Sequence, residues 1–187
     1  MILYLHGFNS SPQSAKAQLL KGYLEERGRG RQFACPQLPH RPSLAVAAAE
    51  EEIARRSGED VTLVGSSLGG FYATWLAEKL ALRAVLVNPA IDPHQDLRGY
   101  LGVQQTFAGE RYELTEQHLS EWRTLHLAAV HPERYLLLVE TGDEVLDYRA
   151  AVRKYLGARQ VVVQGGDHSL ASFPEHMPLI VSFAGMA

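Results

Sequence analysis

Apolar residues in this chain follow two kinds of pattern. Five short runs rich in Val, Leu or Ile lie near residues 2–5, 61–64, 84–87, 135–139 and 160–163, and Gln32-Phe33-Ala34-Cys35-Pro36 reads as a further strand. Such runs fit strands, and their lack of polar alternation fits burial on both faces. The segments between them repeat apolar residues at helical spacing: Leu19, Leu20, Tyr23 and Leu24, then Leu44, Val46 and Ile53, then Phe71, Trp75 and Leu76. Ser11 followed by Pro12 reads as the start of the first helix, which runs to about residue 26 and stops at Gly28-Arg29-Gly30. Ser43 is expected to cap a second helix to about residue 56, and Asp147 a later one to Tyr155. Residues 173–183 close the chain as a helix. Strand alternating with helix predicts an α/β fold with three layers, α/β/α, around a small, mostly parallel sheet of about six strands. The whole of 1–187 reads as one domain, and sites in such a sheet form beyond the strands' carboxyl ends.

Residues 91–132 break the alternation. No strand pattern fits, and Tyr100, Phe107, Tyr112 and Trp122 are interspersed with glycines and charges. Leu119, Trp122 and Leu125 follow Thr115 at helical spacing. Two readings stand: a helical cap inserted over a site, or a helix packed on the sheet with its aromatic stripe in the core. His118, His126 and His131 are not spaced as zinc ligands on one face, so they read as surface residues.

Composition narrows the function classes. Hydrophobic residues at 46% and charged residues at 21% fit a globular protein, and a net charge of −3 offers no basic patch for nucleic acid or a membrane surface. No run of eighteen apolar residues and no leader with a cleavage site stand out, so a cytoplasmic monomer or small homo-oligomer is expected. The single cysteine, Cys35, excludes an internal disulfide framework and reads as a packing residue of the second strand.

The chemistry centres on Gly65-x-Ser67-x-Gly69, which lies where a strand run gives way to a helix pattern. This is the spacing of a nucleophile elbow, a tight turn that lifts the serine hydroxyl above the sheet. A dinucleotide cradle wants glycine where Ser67 stands, and no Gly-Lys-Ser/Thr sequence supports a P-loop. An ordinary strand-to-helix turn containing serine remains the bland alternative. Phe8-Asn9, Ser67, Asp143 and His168 all fall just after strands, so a parallel sheet brings them to one edge. Acyl transfer needs those parts: a hydroxyl, an imidazole to take its proton, a carboxylate to orient the ring, and N–H donors for the oxyanion. Leu68, the residue after the serine, and the turn after the first strand can supply the donors. Asp143 stands first for the carboxylate, with Asp147 better explained as a helix cap and Asp92 as an alternative position. Asp167 is too close to His168 in sequence to accept from its ring. His6 reads as architecture rather than acid–base chemistry.

Four blocks, 6–12, 65–70, 141–147 and 165–168, resemble those of α/β-hydrolases, and more narrowly of the small bacterial esterases of the YqiA type. The resemblance covers nearly the whole chain. It implies hydrolysis of carboxylic esters or thioesters, with Ser67 as nucleophile, His168 as base, Asp143 as acid, and the backbone N–H groups of Phe8 and Leu68 as oxyanion donors. It implies no cofactor and no metal; the partner is a small acyl ester or thioester, not nucleic acid or membrane. The chain starts at what would be the superfamily's third strand, so a smaller sheet is implied. Lyase or acyltransfer chemistry at the same site, or a binding module without chemistry, are the alternatives.

Overall fold

A computed structural model describes residues 1–186. The first half runs β1 (Ile2–Leu5), α1 (Ala15–Glu25), β2 (Phe33–Ala34), α2 (Pro42–Arg55), β3 (Thr62–Ser66), α3 (Leu68–Leu80) and β4 (Arg83–Val87). There follow α4 (Pro93–Asp96), β5 (Gly102–Gln105), β6 (Arg111–Leu114), α5 (Glu116–Leu125), β7 (Tyr135–Glu140), α6 (Tyr148–Lys154), β8 (Arg159–Val163) and α7 (Phe173–Phe183).

The six predicted strands form one parallel sheet in the order β2-β1-β3-β4-β7-β8. Strand side chains alternate between faces, and here both faces are apolar. Leu3, Leu5, Leu63, Leu86 and Leu137 pack against α2, α3, α5 and α6. Ile2, Tyr4, Val64, Val85 and Leu136 pack against α1 and α7. Each such side chain contributes about 1.5–3 kcal/mol when fully buried, so continuous hydrophobicity, rather than alternation, is what a sheet between two helical layers requires. β1 pairs with β2 on one side and β3 on the other. The chain therefore leaves β1 in opposite directions, and the carboxyl ends of β1 and β3 flank the crevice where α/β sheets place their ligands.

The intervening segment corrects the reading that no strand fits 91–132. It contains an antiparallel hairpin, Gly102 opposite Leu114 through Gln105 opposite Arg111, beside the helices α4 and α5. The strands are four residues long and exposed at Val103, so they carry too little apolar alternation to be read as strands. Leu119 and Trp122 of α5 are core, with the Trp122 indole donating to Tyr72 Oη at 2.9 Å. From the α4–hairpin portion, Pro93, Leu97, Tyr100 and Phe107 line the same cavity as Ser67.

Smaller corrections follow local hydrogen bonding. α1 starts at Ala15, because Ser11 Oγ accepts from Gln13 N–H and closes a separate turn. α2 starts at Pro42, and the Ser43 hydroxyl donates to Glu121 of α5 rather than capping. Leu19 and Leu44 face outward, not into the core. His118 is buried: its Nδ1 accepts from Thr115 N–H at the start of α5, and its Nε2 lies 3.0 Å from His40 Nδ1. Cys35 is half-buried just past β2, and burial pushes its thiol up to about 12.

Candidate active site

Ser67 sits between the end of β3 and the start of α3 with φ 53° and ψ −120°, a backbone region that costs a serine about 1–3 kcal/mol. Surrounding bonds hold it there: its N–H donates to Val87 O at 3.0 Å, and its carbonyl accepts from Gly70 and Ala90. The neighbouring glycines allow backbone contact. A Cβ on Gly65 would lie 2.3 Å from Gly69 O, and one on Gly69 would lie 2.0 Å from Leu5 O. The helix can approach the sheet this closely only because neither residue carries a side chain.

His168 reaches Ser67 from the loop after β8. Its Nε2 lies 3.1 Å from Ser67 Oγ, and its Nδ1 lies 3.0 and 2.9 Å from the two oxygens of Asp143. An ionised carboxylate only accepts, so Nδ1 carries the hydrogen and Nε2 offers its lone pair to the serine hydroxyl. The Asp143 side chain is 1% exposed. Burial opposes its charge, but donation from His168 and from the N–H groups of Leu146 and Val145 outweighs it and holds the carboxyl below its usual range. The rival carboxylates are engaged elsewhere. Asp147 caps α6 through Arg149 N–H, Asp92 lies 3.1 Å from His126 Nε2, and Asp167 accepts from Ser169 N–H.

The turn after β1 faces the same serine. The N–H groups of Phe8 and Leu68 donate to nothing among the described residues, and both residues line the cavity that holds Ser67. Asn9, at φ 53°, is braced by the hairpin. Tyr112 Oη donates to its Oδ1 at 2.7 Å, its Nδ2 donates to Gln104 Oε1, and its carbonyl accepts from Phe107 N–H. His6 is architectural: it is buried, accepts from Leu38 N–H through Nε2, and burial lowers its pKa.

The cavity measures 710 Å³, and Phe8, Leu19, Leu97, Tyr100, Phe107 and Phe173 give it apolar walls. Its charged lining includes Lys16, Asp96 and Glu144. Lys16 Nζ donates to Ser169 O at 2.6 Å and burial lowers its pKa, whereas burial and then Asp92 raise that of Asp96. Glu144 accepts from His168 N–H. Behind His168, Glu140 and Asn88 hold its loop. Among the described residues no three His, Cys, Asp or Glu side chains group as metal ligands, and no helix is long and apolar enough to cross a membrane.

With that geometry established, three kinds of comparison agree. The family described as "Uncharacterised protein family (UPF0227)" matches residues 1–185. A UPF0227 protein of Pectobacterium carotovorum is 23% identical over 186 residues, covering 98% of each chain. Among solved structures, alpha/beta hydrolase domain-containing protein 10 from mouse superposes with a TM-score of 0.77 at 14% identity, over 98% of this chain and 89% of that one. Est1E from Butyrivibrio proteoclasticus, determined with ferulic acid bound, gives 0.71 at 16% identity, over 98% and 85%. The chain belongs to the UPF0227 family and shares the fold of these α/β hydrolases.

Proposed function

We propose that this protein is a serine hydrolase acting on carboxylic esters or thioesters with an apolar acyl group. The observation that carries the reading is the 3.1 Å approach of His168 Nε2 to Ser67 Oγ at the wall of an apolar cavity. In the proposed reaction Ser67 Oγ attacks the acyl carbon while His168 takes its proton, and Asp143 stabilises the imidazolium. The oxyanion accepts from the Phe8 and Leu68 N–H groups, which have no competing acceptor among the described residues. The tetrahedral species collapses, His168 passes the proton to the departing alcohol or thiol, and an acyl-Ser67 ester remains. Water, deprotonated by the same imidazole, releases the acid.

The 91–132 segment acts as a cap in this reading. Pro93, Leu97, Tyr100 and Phe107 wall the cavity opposite α1, and Phe8 meets Tyr100 edge-on with ring centroids 6.1 Å apart. A volume of 710 Å³ falls within the range of small-ligand sites and exceeds what an acetyl group fills. Est1E, similar in fold, was determined with ferulic acid bound, and a neighbour with a TM-score of 0.70 at 17% identity comes from work on metagenome-derived lipolytic enzymes. A panel of p-nitrophenyl and coenzyme A esters of graded chain length tests the proposal. Turnover rising beyond acetyl and abolished in Ser67→Ala is expected; no turnover, or turnover unchanged in that variant, contradicts it.

A further inference from the structure

Glu140, the last residue of β7, is 1% exposed. A carboxylate removed from water costs several kcal/mol unless donors surround it. Here they all come from one segment. Oε2 accepts from the N–H groups of Asp167 at 2.8 Å and Ala171 at 3.0 Å, and Oε1 accepts from the Ser172 N–H at 2.8 Å and hydroxyl at 2.6 Å. These donors bracket His168. Asn88 grips the same segment by its carbonyls: its Nδ2 donates to Asp167 O at 3.0 Å and His168 O at 3.1 Å, while its Oδ1 accepts from Glu140 N–H. The two buried side chains thus form one clamp, rooted in β4 and β7, on the loop's amide and carbonyl groups. The loop closes directly on the carboxylate. Gly166 has φ +70°, and a Cβ there would fall 1.8 Å from Glu140 Oε2.

We propose that Glu140 is a positioning residue for His168, an anion around which residues 166–172 fold so that the imidazole stays between Asp143 and Ser67. The proposal rests on the reading of His168 as the catalytic base. It extends that reading, because Asp143 orients the ring only if the backbone carrying the ring is fixed. A displacement of the base by about 1 Å costs on the order of 100-fold in rate.

Glu140→Gln keeps the size, removes the charge, and turns an amide NH2 toward N–H donors. The test measures kcat and KM on a p-nitrophenyl ester together with deuterium exchange of residues 165–172. The stability control is Thr74→Val, which breaks the buried pair between Thr74 Oγ1 and Tyr155 Oη, 2.7 Å apart. For Glu140→Gln, kcat falls on the order of 100-fold with KM within about twofold, and exchange accelerates in 165–172 but not in the sheet. Thr74→Val lowers the melting temperature and leaves kcat alone. Ser172→Ala, which removes one of the four bonds, shifts the same two readouts in the same direction by less, and decides the matter should Glu140→Gln not fold. Wild-type kcat and exchange in Glu140→Gln, or an equal fall of kcat in the control, overturns the proposal. The exchange readout needs no substrate, so the two readings fail separately. An inactive wild type whose loop is freed by Glu140→Gln counts against the esterase and for the clamp; an active wild type indifferent to Glu140→Gln does the reverse.

Discussion

Ser67 is fixed by backbone lying on backbone, whereas Asp143 and His168 are held chiefly by hydrogen bonds between two loops that also meet closely at Gly142. At the elbow, Gly65 and Gly69 leave no room for a methyl group, and the strained φ of Ser67 is over-determined by the strands on either side. At the other half, Glu140, Asn88, Glu144 and Thr141 tie loop to loop through polar groups that can exchange with water if the loops part. Packing of the first kind fails by unfolding. Bonding of the second kind fails by drift, with the fold intact.

The largest effects concern chemistry and fall on both halves alike. Ser67→Ala and His168→Ala should each lower kcat by on the order of 10⁴-fold or more, and the double variant should be scarcely worse, because the residues act as a unit. A double-variant rate equal to the product of the single losses would break that picture. Asp143→Asn should cost on the order of 10⁴-fold by presenting the wrong ring tautomer, with its melting temperature telling apart lost orientation from lost fold.

The next effect separates the halves. Gly69→Ala should destabilise the protein by about 4 kcal/mol or more, since its Cβ meets Leu5 O rather than a movable side chain; a urea melt reads it. Glu140→Gln should cost about 1–3 kcal/mol, and its cost should depend on pH. Burial alone would raise the Glu140 pKa, but the donors from Ser172, Asp167 and Ala171 outweigh it and hold the carboxyl below its ordinary 4.5. A depressed folded value means stability that is present above the unfolded pKa and lost as pH falls through the folded one. The gap in melting temperature between wild type and Glu140→Gln should therefore be widest near neutrality and narrow below about pH 4. A gap independent of pH would show that the charge does not matter. The smallest effect is at the hairpin's turn: Phe107 is 86% exposed, so Phe107→Ser should change stability by less than about 0.5 kcal/mol. It should act on chain-length preference instead.

The same division explains what could be read from the sequence. The turn at Ser67 declares itself because close approach forces glycine at fixed spacing around it, and the continuous apolar runs of β1, β3, β4 and β7 declare a sheet whose centre is buried on both faces. The positions of Asp143 and His168 followed from lying just after strands in a parallel sheet. Glu140 and Asn88 left no such trace, because a clamp between residues 27 to 80 positions apart has no local pattern. Nor did the hairpin, whose four-residue strands fully bury only Leu114, nor the burial of His118, decided by Thr115 and His40 together.

The most direct test is to expose the protein to a fluorophosphonate and map the adduct by peptide mass spectrometry. The account predicts a single phosphonyl group on Ser67 in the wild type and almost none in His168→Ala. Absence of an adduct from the folded wild type, its appearance on another residue, or equal labelling of Ser67 without His168 would contradict it.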